Sequence, residues 1–202
     1  TLFIFSSDNG YSCGHHGFWH KGNGTFPLNM YENSVKVPFV MSHPGRIAEG
    51  KVSSAMASQY DFMPTLLDYL GLDPVVDDLS PGRSFHPVLS GETGEAKDEV
   101  VVFDEYGPVR MIRTQEWKYV HRYPYGPHEL YHLLNDPDEG KNLVDEKSKT
   151  ALIGKMRQQL SNWFDQYVIP QLDGSHFAVT GGGQARKIDT DQCGERSFFE
   201  RG

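Results

Sequence analysis

An α/β fold is what the sequence predicts, and three observations predict it. A continuous apolar run, Leu2-Phe3-Ile4-Phe5, stops abruptly at the polar Ser6-Ser7-Asp8. A helical apolar face over Phe62, Leu66, Leu67, Tyr69 and Leu70 is closed by Gly71, with Pro74 just beyond. Past residue 97, three short strand-like runs precede one long amphipathic stripe. Strand, loop, strand and helix followed by a small antiparallel unit is an α/β pattern with an added subdomain.

Taken in order, Leu2 to Phe5 reads as a fully buried strand of a parallel sheet, because it lacks the polar alternation of a half-exposed one. Thr1 opens inside that run, so the chain is expected to be part of something longer. A Gly-rich loop spans Gly10 to Pro27, and Val35 to Met41 is a second strand candidate whose start Pro38 makes irregular. Asp61 is placed as the N-cap of the following helix, and Gly71 as its terminator. Asp73 to Lys97, rich in Asp, Ser, Gly, Pro and Glu, reads as a linker. Val100 to Phe103, Val109 to Arg113 and Trp117 to Val120 then read as an antiparallel meander. Leu152, Met156, Leu160, Trp163 and Phe164 place a long helix at about 149–167, covering that sheet. The tail from Gln171 to Gly202, with Gly181-Gly182-Gly183 in a loop, is expected to be irregular. The expected division is therefore 1–97 and 98–202.

Composition narrows the function classes. With 38% hydrophobic and 23% charged residues, the chain has the balance of an ordinary globular protein. A net charge of -8 argues against nucleic acid, whose phosphates need clustered Lys and Arg. A local cationic pocket for a small anion stays compatible with it. No apolar run approaches the roughly 20 residues that span a bilayer. Cys13 and Cys193 make no framework, and either pairing or two free thiols fits.

Chemistry-bearing residues concentrate between Ser7 and Gly22, in SDNGYSCGHHGFWHKG. They sit beyond the end of the first strand, where α/β proteins bind ligands. Asp8 followed by Asn9 is a hard-oxygen pair suited to Ca²⁺ or Mg²⁺, although Asp-Asn-Gly is equally a common turn. His15, His16, Trp19, His20 and Lys21 either line a substrate pocket or decorate an exposed loop. Cys13 reads as packing, since no nucleophile motif surrounds it. Tyr31 and Glu32 read as buttresses of the loop. Farther on, Arg110, Arg113, His121, Arg122, His128 and His176 either bind a polyanionic sugar or form solvated surface charge.

The order of motifs resembles the sulfatases, members of the alkaline phosphatase superfamily. The resemblance is carried by Leu2-Phe3-Ile4-Phe5, Ser7-Asp8-Asn9-Gly10, Gly14-His15-His16-Gly17, Lys21, Met30-Tyr31-Glu32, Val37-Pro38-Phe39 and Pro44-Gly45-Arg46-Ile47. It continues through Asp61-Phe62-Met63-Pro64-Thr65-Leu66-Leu67-Asp68, Glu129-Leu130-Tyr131-His132-Leu133, Asp136-Pro137 and Asn142-Leu143. It implies the C-terminal part of an alkaline-phosphatase-like α/β sandwich, plus a small antiparallel-sheet subdomain covered by a long helix. Asp8 and Asn9 would bind a divalent cation, usually calcium and less often magnesium. Lys21 would contact the sulfate as a catalytic residue, with His15, His16, Trp19 and His20 facing substrate. Relatives that cleave phosphate or phosphonate often carry Asp-His, so Asn9 tilts the reading toward calcium and sulfate.

The family nucleophile is a formylglycine made in a Cys/Ser-x-Pro-x-Arg motif, which this sequence lacks. Cys193-Gly194-Glu195-Arg196 has no proline and places its arginine one residue early, and Ser80-Pro81-Gly82-Arg83 has both residues early. The nucleophile and further ligands are thus expected upstream of Thr1. The resemblance implies hydrolysis of a sulfate ester, most of all of a sulfated carbohydrate or other sulfated small molecule. It also implies a periplasmic, secreted or lysosomal-type compartment. A phosphate or phosphonate ester hydrolase and a non-catalytic carbohydrate-binding relative are the alternatives. In any of these the chain needs the N-terminal part of its own protein, and by itself it is expected to be inactive and to bind calcium poorly.

Overall fold

In the computed structural model, residues 1–176 are described except 23–24, 26–27, 75–77, 92–96 and 105–106. The first apolar run forms β1 (Phe3–Ser6), which pairs antiparallel with β4 (Phe39–Ser42), Phe3 opposite Ser42 and Ser6 opposite Phe39. The partner is antiparallel, which corrects the expected parallel pairing, and within this chain Phe3 and Phe5 are 66% and 65% exposed. An apolar run shows that a strand needs cover, but it does not encode its neighbour's direction. Phe39 packs edge-on against Phe62 and Phe85, while Phe3 and Phe5 stay uncovered on the ribbon.

The second strand candidate also starts later than expected. Glu32–Val35 is a single helical turn, α1, and the strand begins only at Phe39. Pro38 explains the boundary, since it donates no ladder hydrogen bond and biases Val37 toward extended backbone. One minor ladder precedes α1: β2 (Ser12–Cys13) pairs antiparallel with β3 (Trp19–His20).

Helix α2 (Phe62–Leu70) ends as predicted at Gly71, whose φ of 66° is left-handed, and the Leu72 amide returns to the Leu67 carbonyl at 2.9 Å. Asp61 does not cap it. Its carboxylate instead accepts the Ser58 amide (2.7 Å), closing a reciprocal box around the 3-10 turn Gln59–Asp61. The other oxygen accepts the Arg83 amide (2.8 Å) and pairs with Lys97 (2.5 Å). The described part of the supposed linker is strapped to α2 as well. Ser84 donates to Asp68 (2.5 Å), the Phe85 amide donates to the Thr65 hydroxyl (2.9 Å), and α3 (His86–Leu89) follows. Polar composition there signals exposure, not detachment.

The meander is present with one strand more than the sequence suggested. β5 (Glu99–Phe103), β6 (Val109–Thr114), β7 (Trp117–Arg122) and β8 (Glu129–His132) lie antiparallel in chain order. Alternation sorts their side chains onto two faces. On one, Val101, Ile112, Tyr119 and Leu130 meet Met156, Leu160 and Phe164 of α4 (Thr150–Tyr167), the predicted long helix. On the other, Val109, Met111 and Val120 pack with Met30, just before α1. The second face therefore looks toward the Gly-rich loop. Short 3-10 turns, Pro170–Leu172 and Gly174–His176, follow α4. Gly181-Gly182-Gly183 and Cys193 lie outside the described residues. Among the described residues no helix is long and apolar enough to cross a membrane.

Candidate functional site

The loop that carries Asp8, Asn9 and Lys21 is fastened at both ends to the same short helix. At its start the Gly10 amide donates to the Ser34 carbonyl (2.9 Å), and a Cβ on Gly10 would stand 2.0 Å from the Asn33 carbonyl oxygen. At its end Gly22 lies against Ser34 and Asn29, where an added Cβ would stand 2.6 Å from the Asn29 carbonyl oxygen. Both positions need glycine for close backbone approach. The two glycines, twelve residues apart in the chain, thus both lie against Ser34. Gly10→Ala should cost about 1–3 kcal/mol by forcing the loop off α1. Thermal unfolding checks that figure, and an unchanged melting temperature would contradict the packing.

Around Asp8, itself exposed, the turn is held by backbone and side-chain contacts. The Asn9 amide donates to an Asp8 carboxylate oxygen (2.9 Å), and Ser7 donates its hydroxyl to the Asn9 carbonyl (2.7 Å). Gln59, which sequence reasoning missed, donates its side-chain amide to the Ser7 (3.0 Å) and Asp8 (2.7 Å) carbonyls. Asn9 Nδ2 donates to the Gly10 carbonyl (2.6 Å), so its Oδ1 is left as an acceptor. An exposed carboxylate beside a free amide oxygen is a donor set that fits a hard divalent cation. It covers two of the roughly 6–8 oxygens calcium takes. Among the described residues no three His, Cys, Asp or Glu side chains converge as a metal site.

Within the loop, β2 and β3 set Cys13 opposite Trp19 and Ser12 opposite His20. His16 is exposed yet held at a φ of 52°, a left-handed conformation uncommon for a residue with a side chain. Its ring lies flat on Tyr31, 3.7 Å between centroids and 4° between planes. Burial raises the Tyr31 phenol above its ordinary pKa, partly opposed by a hydrogen bond to Tyr131 from β8. His15 Nδ1 accepts the Cys13 amide (3.4 Å), and His20, at a φ of 95°, meets Tyr11 edge-on. Trp19 is 62% exposed, with Gly14 against its ring. Lys21 is half-buried, and among the described residues its ammonium has no carboxylate partner. Cys13, expected to be packing, is exposed in this chain and joined to no other cysteine among the described residues.

The expected buttress residue Glu32 is the foot of a charge network reaching into the meander. Lys118, fully buried, pairs with Glu32 and Glu139, each at 2.7 Å, and donates to the Met30 carbonyl at 2.9 Å. Arg113 grips Glu32 through two nitrogens at 3.0 and 3.2 Å, and Glu139 accepts the Glu32 amide at 2.6 Å. Burial pushes the Glu32 carboxyl up, but Lys118 and Arg113 together outweigh it and hold the group below its ordinary pKa. Arg122 completes the row, donating to Glu129 (2.7 Å), Pro127 (3.1 Å) and Leu28 (3.0 Å).

These contacts correct the reading of the C-terminal cations as sugar ligands or solvated charge. Arg113 is committed to Glu32 of α1, Arg122 to Glu129, Pro127 and Leu28, and buried Arg110 pairs with Asp173 while lying over the Phe164 ring at 3.6 Å. His121, also buried, bonds the Tyr119 hydroxyl (2.8 Å) and stacks on His128 at 4.2 Å between centroids. His176 ends a 3-10 turn, and nothing in the described contacts carries its side chain to the loop.

Comparison with known proteins supplies the context for this geometry. A family model described as N-sulphoglucosamine sulphohydrolase, C-terminal, matches residues 14–166. The N-acetylglucosamine-6-O-sulfatase of Bacteroides thetaiotaomicron is 30% identical, over 83% of this chain and 30% of its own length. The choline-sulfatase of Rhizobium meliloti is 33% identical, over 72% of this chain and 27% of its own. A protein solved in complex with its substrate D-glucosamine-2-N,6-O-disulfate superposes with a TM-score of 0.70 at 28% identity, over 82% of this chain and 34% of that one. The phosphonate monoester hydrolase of Agrobacterium radiobacter reaches 0.68 at 27% identity, over 83% and 35%. The chain spans between about a quarter and less than half of the length of curated relatives that it matches.

Proposed function

The chain belongs to the sulfatase family, as a C-terminal portion, and on that premise we propose that it supplies half of a site that hydrolyses a sulfate ester of a carbohydrate. The observation that carries this reading is the fastening of Asp8-Asn9 and of Lys21 to one helix through Gly10 and Gly22. A hard-oxygen pair that would hold a cation, together with an ammonium, would suit an anionic ester group. The similarity to relatives named for glucosamine sulfates favours a sulfated amino sugar as substrate.

Asp8 and Asn9 would hold calcium, which when bound neutralises charge on the sulfate oxygens. Lys21 would place its ammonium against the same oxygens, favouring the arrangement in which negative charge passes to the departing alkoxide. His16, fixed by its stack on Tyr31, would face the sugar side of the bond. Trp19 offers an exposed ring for a pyranose face. Water is consumed and an alcohol and sulfate are released. The nucleophile and the remaining oxygen ligands would come from a further part of the same protein, consistent with the length of the relatives.

The test uses the complete polypeptide, assayed for sulfate release from a 6-O-sulfated glucosamine and for hydrolysis of a phosphonate monoester. The expected result is sulfate release that chelation abolishes and calcium restores. Preferential cleavage of the phosphonate would move the protein to its phosphonate-cleaving relatives. Activity indifferent to chelation would remove Asp8 and Asn9 from the cation site.

A further inference from the structure

Lys118 is fully buried, yet its contacts lead to the loop that would bind a sulfate. Its ammonium is the meeting point of Glu32, Glu139 and the Met30 carbonyl. Met30 and Glu32 lie at the N-terminal end of α1, Glu139 accepts the Glu32 amide, and α1 is what the loop rests on. Gly10 is bonded to Ser34, Ser12 Oγ lies 3.3 Å from Ser34 Oγ, and Asn33 Nδ2 donates to Ser12 Oγ at 2.8 Å. Tyr31, one residue before α1, carries His16. A single helical turn cannot hold its own direction, because four residues complete scarcely one internal hydrogen bond. Its orientation must come from outside, and here it comes from β7. Glu139 is kept at a φ of 55° to reach this point, a conformation that needs surrounding contacts to maintain it.

We propose that Lys118 is a positioning residue for the hydrolysis site, orienting α1 and through it the Asp8–Lys21 loop. The proposal rests on the sulfatase reading above and adds to it a residue of the C-terminal sheet. Removing the ammonium leaves Glu32 and Glu139 facing each other in a buried site, and their repulsion turns α1 away from the meander. Arg113 still holds Glu32 from one side, so the expected outcome is a displaced helix within a folded protein.

The experiment compares Lys118→Met with Leu160→Ala in the complete polypeptide. Leu160 lies on the opposite face of the sheet, so its loss lowers stability without touching α1. Lys118→Met should speed amide exchange in peptides covering residues 10–20 and lower kcat by about 10- to 100-fold, as expected when reacting groups shift by about an ångström. Leu160→Ala should do neither at a comparable loss of melting temperature. If the two variants match in loop exchange and in kcat, Lys118 is a strut of the sheet and the proposal fails. If the unmutated protein releases no sulfate, the hydrolase reading fails separately, and the exchange comparison still decides the role of Lys118. Should Lys118→Met not fold, Lys118→Gln is read the same way, since it removes the ammonium and keeps a donor for the Met30 carbonyl.

Discussion

Replacing Lys21 with alanine in the complete polypeptide should lower kcat for sulfate ester hydrolysis by about 10²–10³-fold, the range seen when one preorganised charge-stabilising donor is removed. The reason lies in what Lys21 lacks. Every other lysine or arginine of the meander face has a carboxylate within reach: Lys118 has two, Arg113 has Glu32 and Arg122 has Glu129. Lys21 has none among the described residues, and it is half-buried beside Gly22, which is pressed against α1. A cation in such a position is available for a substrate anion, and fixing it in advance avoids reorganisation during the reaction. Lys21→Arg should recover only part of the rate, because a planar fork presents its donors differently from a point charge. Melting temperature should hardly change in either variant. Equal kcat in wild type and Lys21→Ala would place the sulfate elsewhere.

How much of this could be read from the sequence differs by residue. The polar cluster after the first strand was legible because so many ligand-type side chains follow one apolar run. The long helix was legible because Met156, Leu160 and Phe164 fall four residues apart and are the three that α4 buries. Gly71 was legible as a terminator for its freedom at positive φ. The direction of β1 was not, since a four-residue apolar run holds no information about its partner. Helix α1 ends at Val35, where a strand-like Val-x-Val pattern begins, and its charge partner Lys118 lies 86 positions beyond Glu32 in the chain. The charged residues of β6 and β7 were misread for the same reason. Arg110, Arg113, Lys118 and Arg122 look like surface charge in one dimension, and only the pairing of distant carboxylates with them makes burial tolerable. Gln59 had no signal at all: a glutamine before a helix is ordinary until the turn it holds is seen.

Acidification should destabilise the protein through His121, by about 3 kcal/mol between neutrality and pH 4. Burial, first, and then the neighbouring His128, Arg157 and Arg110 hold the His121 imidazole down to about 4 from an ordinary 6.5. The ring is enclosed by Tyr119, Tyr123 and His128, with Arg110 from β6 and Arg157 from α4 as the charged groups around it. No carboxylate is among the groups that set its titration, so a proton on the ring meets cations and rings only. The sign follows from which state binds the proton. Between pH 6.5 and 4 the unfolded chain protonates this histidine and the native one refuses it, so stability is full above about 6.5 and drains as pH falls toward 4. His128, lowered for the same first reason, adds to the loss in the same direction. Thermal unfolding of the complete polypeptide at pH 7.5 and at pH 4.5 checks this, with His121→Gln as comparison. The variant gives up the packing on His128 and so starts less stable, but it has no ring to protonate and should lose distinctly less on acidification. Parallel losses in the two proteins would show that the acid sensitivity comes from other groups, and the buried histidine pair would then be nothing more than packing.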